Sequence, residues 1–354
     1  MTLDIERMKE MALDLYIPEA IRAFGDDGKD ALRDMLSTLI QLYRVIDPSI
    51  LRHSIILYFP IEQGVNCQDT IPPQSSKLLS PEYITTELDS PCVIKLSGDG
   101  SLVIHPPVEN LSPVELSKNS LVYVFEFDNE YFIIKGAKFR IKNPAQIMHA
   151  SVFARPVYRS LKKALEDYKI KRARHNTCHI LKGMWHDPNC LFLKNKPEQI
   201  MRRSLSQYLD SVLQNAEVRP EQNVDESHPV DIKVTWMLSN NRAIIEIKWL
   251  GKSIGPLNTV TSDYSESRAL AGARQLAEYI DSSCEFGPTV STRGYLVVFD
   301  ARRKGLSIGA SQISRQNGMH YQDKNVTYSP AYHISRRDFE EPIRIFMAPV
   351  CQDV

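Results

Sequence analysis

Apolar residues over positions 3–46 recur at intervals of three and four: Met8, Met11, Ala12 and Leu15, then Leu32, Met35, Leu36, Leu39 and Leu42. This spacing predicts two amphipathic helices, parted by Gly25-Asp26-Asp27-Gly28. Leu51 to Phe59 reads as a strand, and a polar connector rich in Pro, Ser and Gln follows from about Gln63 to Pro81. From about 91 to 142 the period falls to two. Val93-Ile94-Lys95-Leu96 and Leu102-Val103-Ile104-His105 flank Gly98-Asp99-Gly100. Val122 to Phe127 and Tyr131 to Ile134 flank Asp128-Asn129-Glu130. Both patterns are hairpin signals. A helix is expected from about Val157 to Ile170, and another from Pro197-Glu198 to about Leu213, with Met201, Leu205, Tyr208, Leu209 and Val212 as its apolar stripe. A second pair of strands, Val230–Trp236 and Ala243–Trp249, precedes a helix over Ser267–Ser282, an almost wholly apolar run Gly294–Asp300 and a strand-like tail segment Ile343–Phe346. The expected organisation is an N-terminal α+β region (1–150), a basic connecting segment (151–190) and an α/β domain (191–354) with a mixed central sheet flanked by helices.

The pair of strands around residue 240 carries the chemistry. Alternation puts Glu246 and Lys248 on one face and Ile245 and Ile247 on the other. With the turn centred on Asn240-Asn241, position 233 would face 248 and 235 would face 246, and Asp231 would share the face of Glu246 and Lys248. Two carboxylates and a lysine on a face of apolar strands are costly unless paired with one another or bound to a cation. A divalent metal would remove the cost and supply chemistry.

Pro229-Val230-Asp231 followed by Glu246-Ile247-Lys248 resembles the PD-(D/E)XK nuclease superfamily, with one residue between proline and aspartate as a departure from the literal pattern. Gln275-Leu276-Ala277-Glu278-Tyr279 on the next helix resembles the Q-x-x-x-Y motif of the exonuclease branch linked to recombination helicases and CRISPR adaptation. Helix, hairpin, helix and buried strand follow in that superfamily's order over about 190–300. The resemblance implies a restriction-endonuclease-like core and Mg²⁺, replaceable by Mn²⁺, held by Asp231, Glu246 and the backbone carbonyl of Ile247. It makes Lys248 the residue that orients the attacking water or offsets transition-state charge, and Glu198 a further acid from the preceding helix. Gln275 and Tyr279 would position the strand. On the residues alone, Glu198 equally complements a helix dipole, Tyr279 is equally a core residue and Gln275 a surface one.

Net charge is zero over 354 residues, which by itself argues against a nucleic-acid binder. Its distribution changes that: Arg155 to Arg203 holds thirteen Lys or Arg against four Asp or Glu, a net of +9 that includes Lys171, Arg172 and Arg174. Such a stretch attracts phosphate backbones, although a solvated helix face looks the same. Six cysteines without close pairing suit a reducing, cytoplasmic setting, the charged start is unlike a secretory leader, and no apolar run reaches membrane-span length. Cys178, His179, His186 and Cys190 offer four soft ligands for zinc, or else pack beside Trp185 or line a nucleic-acid channel. No G-x-S-x-G and no P-loop motif occurs.

Three functions remain open at this level: a DNA endonuclease effector of a bacterial restriction or anti-phage defence system, a repair or recombination exonuclease, and a non-catalytic module that binds nucleic acid or a partner. Residues 91–142 could dock a second protein subunit of a defence complex, and a homo-oligomer is equally compatible. DNA against RNA, sequence preference and the activating signal leave no mark in the sequence.

Overall fold

A computed structural model of the chain describes residues 4–62, 76–79, 91–105, 112–127, 129–141, 149–223, 229–237, 239, 241–284 and 291–352. Apart from short segments near 240 and 290, two compact units divide between Arg159 and Ser160. Residues 160–190 thus fold with the second unit.

The first unit opens with α1 (Ile5–Val45), capped by Asp4, whose carboxylate accepts from the N–H groups of Glu6 and Arg7. The expected break is real but confined to one residue: Gly25, at φ 68°, leaves the helical region, and the helix resumes at once. Leu32, Met35, Leu36, Leu39 and Leu42 are all buried as the spacing predicts. The earlier stripe is shifted. Met8 and Ala12 face the core as expected, but Met11 and Leu15 are exposed, and Ile5 and Tyr16 join the core row in their place. Ile5, Met8, Ala12 and Tyr16 also recur at three and four, so periodicity alone could not choose between adjacent rows of one helix.

The unit's sheet has the order β2-β4-β3-β1-β5-β6-β7, from β1 (Ile55–Pro60), β2 (Ser76–Leu78), β3 (Cys92–Leu96), β4 (Leu102–His105), β5 (Ser120–Glu126), β6 (Asn129–Ile134) and β7 (Ala137–Arg140). β1 runs parallel to β3, and the other pairs are antiparallel. Both expected hairpins form, and most of the connector from 63 to 81 lies outside the described residues. Alternation assigns Leu121, Tyr123, Phe125, Phe132 and Ile134 to the α1 face. Val122, Val124, Tyr131 and Ile133 go to the opposite face, with Leu116 of the short α2 (Pro113–Leu116).

Glu130 departs from its expected place in a turn. It pairs with Phe125 inside β6 and is 1% exposed. Its carboxylate accepts from the Tyr123 hydroxyl (2.8 Å), the Ser151 hydroxyl (2.7 Å) and the Val152 N–H (2.8 Å), while Tyr43 and Tyr123 share a further hydroxyl contact of 2.9 Å. These donors pin the segment after residue 149 to the sheet. Burial pushes the Glu130 pKa up to about 6, against the lowering effect of the three donors. Because its folded pKa lies above the unfolded value near 4.5, its contribution to stability is full at low pH and is lost as pH rises through about 6. The stability of the native chain relative to Glu130→Gln is therefore expected to fall by about 2 kcal/mol between about pH 4 and pH 8, measured by urea unfolding of both proteins at each pH.

The second unit takes all but the first two residues of α3 (Tyr158–Tyr168), which continues into a π-turn over Lys169–Ala173, and the one-turn α4 (His179–Lys182). Then come β8 (Leu193–Lys194), α5 (Glu198–Val212), β9 (Ala216–Asn223), β10 (Pro229–Trp236), β11 (Asn241–Ile254), β12 (Val260–Tyr264), α6 (Glu266–Cys284), β13 (Ser291–Asp300) and β14 (Ile343–Phe346). The main path of its sheet is β14-β13-β11-β10-β9, and the far end of β11 also pairs with β12 and β8. β14 lies parallel to β13 and β9 antiparallel to β10, so the sheet is mixed. The whole chain is α+β.

β11 is the spine of this unit. Ile244 to Leu250 is buried throughout, as expected for a strand covered on both faces. On one face, Ile244 and Leu250 of β11 and Leu296 and Val298 of β13 pack with Ala269, Ala273, Leu276 and Ile280 of α6. Elsewhere Tyr168 of α3 contacts Phe299 of β13 and Tyr208 of α5. Gly251, at φ 125°, turns β11 at a point where a Cβ would lie 2.8 Å from the carbonyl oxygen of Ala301. Only glycine combines that dihedral with that approach. Among the described residues, no helix is long and apolar enough to cross a membrane.

Candidate functional site

Strands β10 and β11 pair through Ile232–Ile245, Lys233–Ile244, Val234–Ala243 and Thr235–Arg242. The register is offset by four residues from the one a turn at Asn240-Asn241 would give: β10 ends at Trp236 as expected, but β11 begins at Asn241, two residues before Ala243, so the turn falls earlier. An even offset keeps every side chain on its expected face. Asp231 therefore still shares a face with Glu246 and Lys248: it stands one step beyond the Ile232–Ile245 pair, level with Glu246, and remains one diagonal step from the lysine.

Asp231, Glu246 and Lys248 are 6%, 2% and 3% exposed. Lys248 Nζ donates to Glu246 Oε1. Asp231 Oδ2 accepts the backbone N–H of Ile247 at 2.8 Å, so the carboxylate takes a donor on the edge of β11 that faces β10. Asp231 Oδ1 accepts from Arg202 Nη1 of α5, also at 2.8 Å. The remaining oxygen, Glu246 Oε2, is buried without a hydrogen-bond partner. Burial, and then the nearby charge of Asp231, push the Glu246 pKa up to about 8 against the pull of Lys248. A carboxylate with one free buried oxygen beside a second carboxylate favours a cation.

Glu198, in the first turn of α5, forms an ion pair with Arg268 of α6 at 3.7 Å. Its pKa is raised by burial and next by Asp231, so it belongs to the same electrostatic neighbourhood. It does not complete a cluster: among the described residues, no group of three His, Cys, Asp or Glu side chains is disposed to hold a metal. The oxygen donors that fit Mg²⁺ are those of Asp231 and Glu246, with the carbonyl of Ile247 on the strand edge that its N–H already presents to Asp231. A hard dication accepts such a set because it keeps several waters.

The Gln275–Tyr279 pair sits above this face on α6. Gln275 Nε2 donates to the Tyr279 hydroxyl. Tyr279 is buried, and its raised pKa reflects burial first, with Glu246 and Asp231 as further contributors. Lys171, Arg172 and Arg174 are not gathered here. They occupy the π-turn after α3 and its C-terminal end, where Lys171 pairs with Asp167 at 3.2 Å, Arg172 is exposed and the Arg174 carbonyl accepts from Ala348.

The zinc alternative dissolves. His179 and His186 are exposed, and Cys178 Sγ lies 3.1 Å from Ser204 Oγ. Cys190 is buried beside Asn176 Nδ2 at 3.6 Å, its thiol pushed up to about 11 by burial. Asn176 also accepts from the Trp185 indole N–H, so this segment packs around the tryptophan.

Two residues essential to the geometry were not singled out from the sequence. Arg202 lies four residues after Glu198 and so projects from the same helical face. Gly272 lies three before Gln275, and a Cβ there would stand 2.5 Å from Lys248 Cγ and 3.2 Å from Leu296 Cδ1. The missing side chain is the space that Lys248 fills. Comparison of the chain with family models, curated proteins and solved structures gives no match. Gly272→Ala is expected to displace the Lys248 stem and destabilise the protein by about 1–3 kcal/mol, read as a lower urea midpoint at unchanged slope.

Proposed function

We propose that the chain is a Mg²⁺-dependent nuclease with a restriction-endonuclease-like core of the PD-(D/E)XK type, hydrolysing phosphodiester bonds in DNA. The observation that carries this reading is the burial of Asp231, Glu246 and Lys248 on one face, with one oxygen of Glu246 lacking any donor. An unsatisfied buried carboxylate oxygen costs about 1–3 kcal/mol, a cost that a bound cation would remove.

Asp231 and Glu246 would hold the magnesium, with the Ile247 carbonyl as a third oxygen. When bound, the ion lowers the pKa of a water and offsets charge on phosphoryl oxygens. Lys248, fixed by Glu246 and by the gap at Gly272, points its ammonium at the same space. There it orients the attacking water and stabilises charge that develops on the phosphorus substituents. Glu198 tunes the field around the acids. Tyr279, held by Gln275, closes the site from α6 and positions the strand.

The role that fits is endonuclease effector of a bacterial restriction or anti-phage system. The Gln275–Tyr279 hydrogen bond favours a second reading, an exonuclease acting from ends. Circular and linear DNA incubated with Mg²⁺ or Mn²⁺ separates them: nicked circles support the first, shortening of linear DNA alone the second. Asp231→Ala, Glu246→Ala and Lys248→Ala should each lower the rate by at least about 10²-fold, the scale for removing one preorganised electrostatic group, with circular dichroism unchanged. Full cleavage by folded Asp231→Ala, or no cleavage of either DNA by the native chain, would overturn the nuclease reading and leave a binding module.

A further inference from the structure

Both oxygens of Asp231 have a donor before any metal arrives. One oxygen is held by Arg202 Nη1 and the other by the Ile247 N–H, each at 2.8 Å. A cation can share an oxygen with a donor through its second lone pair, but at Asp231 it would stand close against the guanidinium of Arg202. The Ile247 N–H belongs to the backbone of β11 and cannot leave without breaking the central strand of the unit. Arg202 can leave. It is a long side chain, 14% exposed, and it lines a groove of about 570 Å³ between α5 and β9.

Charge points the same way. With both acids ionised, as binding of a dication requires, Asp231 and Glu246 carry two negative charges against the two positive charges of Arg202 and Lys248. A dication added with Arg202 in place would leave two uncompensated positive charges in a site from which water is largely excluded, a costly arrangement. Movement of Arg202 removes part of that excess, and an anion beside its new position removes more. The groove has the donors to receive such an anion. Gln199, Arg203, Ser206 and Gln207 project from the same face of α5 as Arg202, with Asp210 as the one acid among them.

Resting on the nuclease reading above, we propose that Arg202 is an exchangeable counter-ion: it neutralises Asp231 in the metal-free protein and, when a divalent cation binds, turns into the α5–β9 groove to hold a phosphate of the nucleic-acid strand together with Arg203. Metal and substrate then bind cooperatively, because the cation frees the guanidinium that the phosphate needs. By linkage, the coupling is reciprocal.

The test is calorimetry of Mn²⁺ binding to the full chain without nucleic acid, paired with fluorescence anisotropy of a labelled DNA duplex in EDTA and in Ca²⁺. Arg202→Gln should bind Mn²⁺ about tenfold more tightly than the native protein, within the range typical of such couplings, while Arg202→Lys, which keeps the charge, stays near native affinity. Arg202→Gln should weaken DNA binding in Ca²⁺ and leave it unchanged in EDTA, where the native guanidinium is already committed to Asp231. Arg203→Gln, which leaves Asp231 paired and so guards against a folding defect, should keep native Mn²⁺ affinity. It should weaken DNA binding and reduce the salt slope by about one. Native or weaker Mn²⁺ affinity in Arg202→Gln, with the native protein binding the metal, overturns the exchange and leaves the nuclease reading intact. Unchanged DNA binding by both variants in Ca²⁺ overturns the groove as the phosphate site. Absence of Mn²⁺ binding by every protein overturns both the exchange and the metal site.

Discussion

Two carboxylates and two cations held out of water between β10, β11 and α5 set the terms for the second unit. Charges so placed persist only when each has a partner within hydrogen-bonding reach, and here the partners come from β11 itself and from α5. Lys248 comes from the same strand, two residues along. The Ile247 N–H comes from the strand edge, and Arg202 from the preceding helix. The glycine gap in α6 gives Lys248 its room, and the Asp300 carboxylate at the end of β13 fixes the neighbouring strands by accepting from Arg302 and Arg344. The unit is therefore organised around ionic contacts set into otherwise apolar strands.

The two units treat a buried carboxylate differently, and the contrast is informative. Glu130 receives three donors and leaves no oxygen bare, which suits a group whose work is to tie down a segment. Glu246 receives one donor and keeps an oxygen bare. Equal burial thus produces a closed network in one place and an open valence in the other. That difference, rather than burial or a shifted pKa, separates a structural acid from one able to bind a ligand.

Much of this was legible in the sequence. Strand alternation put Asp231, Glu246 and Lys248 on one face, and helical spacing put Gln275 and Tyr279 together. Both rest on backbone geometry, which a local pattern fixes. The hairpin register was not legible, since its turn is placed by tertiary pairing of β10 with both neighbours, and only the parity of the offset preserved the faces. The burial of Glu130 was hidden because its polarity and its Asp-Asn-Glu neighbourhood mimic a turn, while its donors lie seven and about twenty residues away. Arg202 and Gly272 were hidden for another reason: one looks like a solvated helix residue and the other like a helix weakener until the elements they face are known. The basic stretch from Arg155 to Arg203 was visible as charge, but charge does not say which guanidinium turns inward.

β14 has a consequence for the order in which the molecule can be made. It is the parallel partner of β13 and brings Arg344 to Asp300, yet roughly 110 residues separate it from Asp231. During translation the strands bearing the acids leave the ribosome well before the strand that finishes their sheet. Until it arrives, β13 has an unpaired edge and Asp300 lacks one of its guanidinium partners, a state prone to wrong pairing with another nascent chain. Pairing of that edge of β13 therefore waits on the synthesis of β14, well after β10 and β11 have been made.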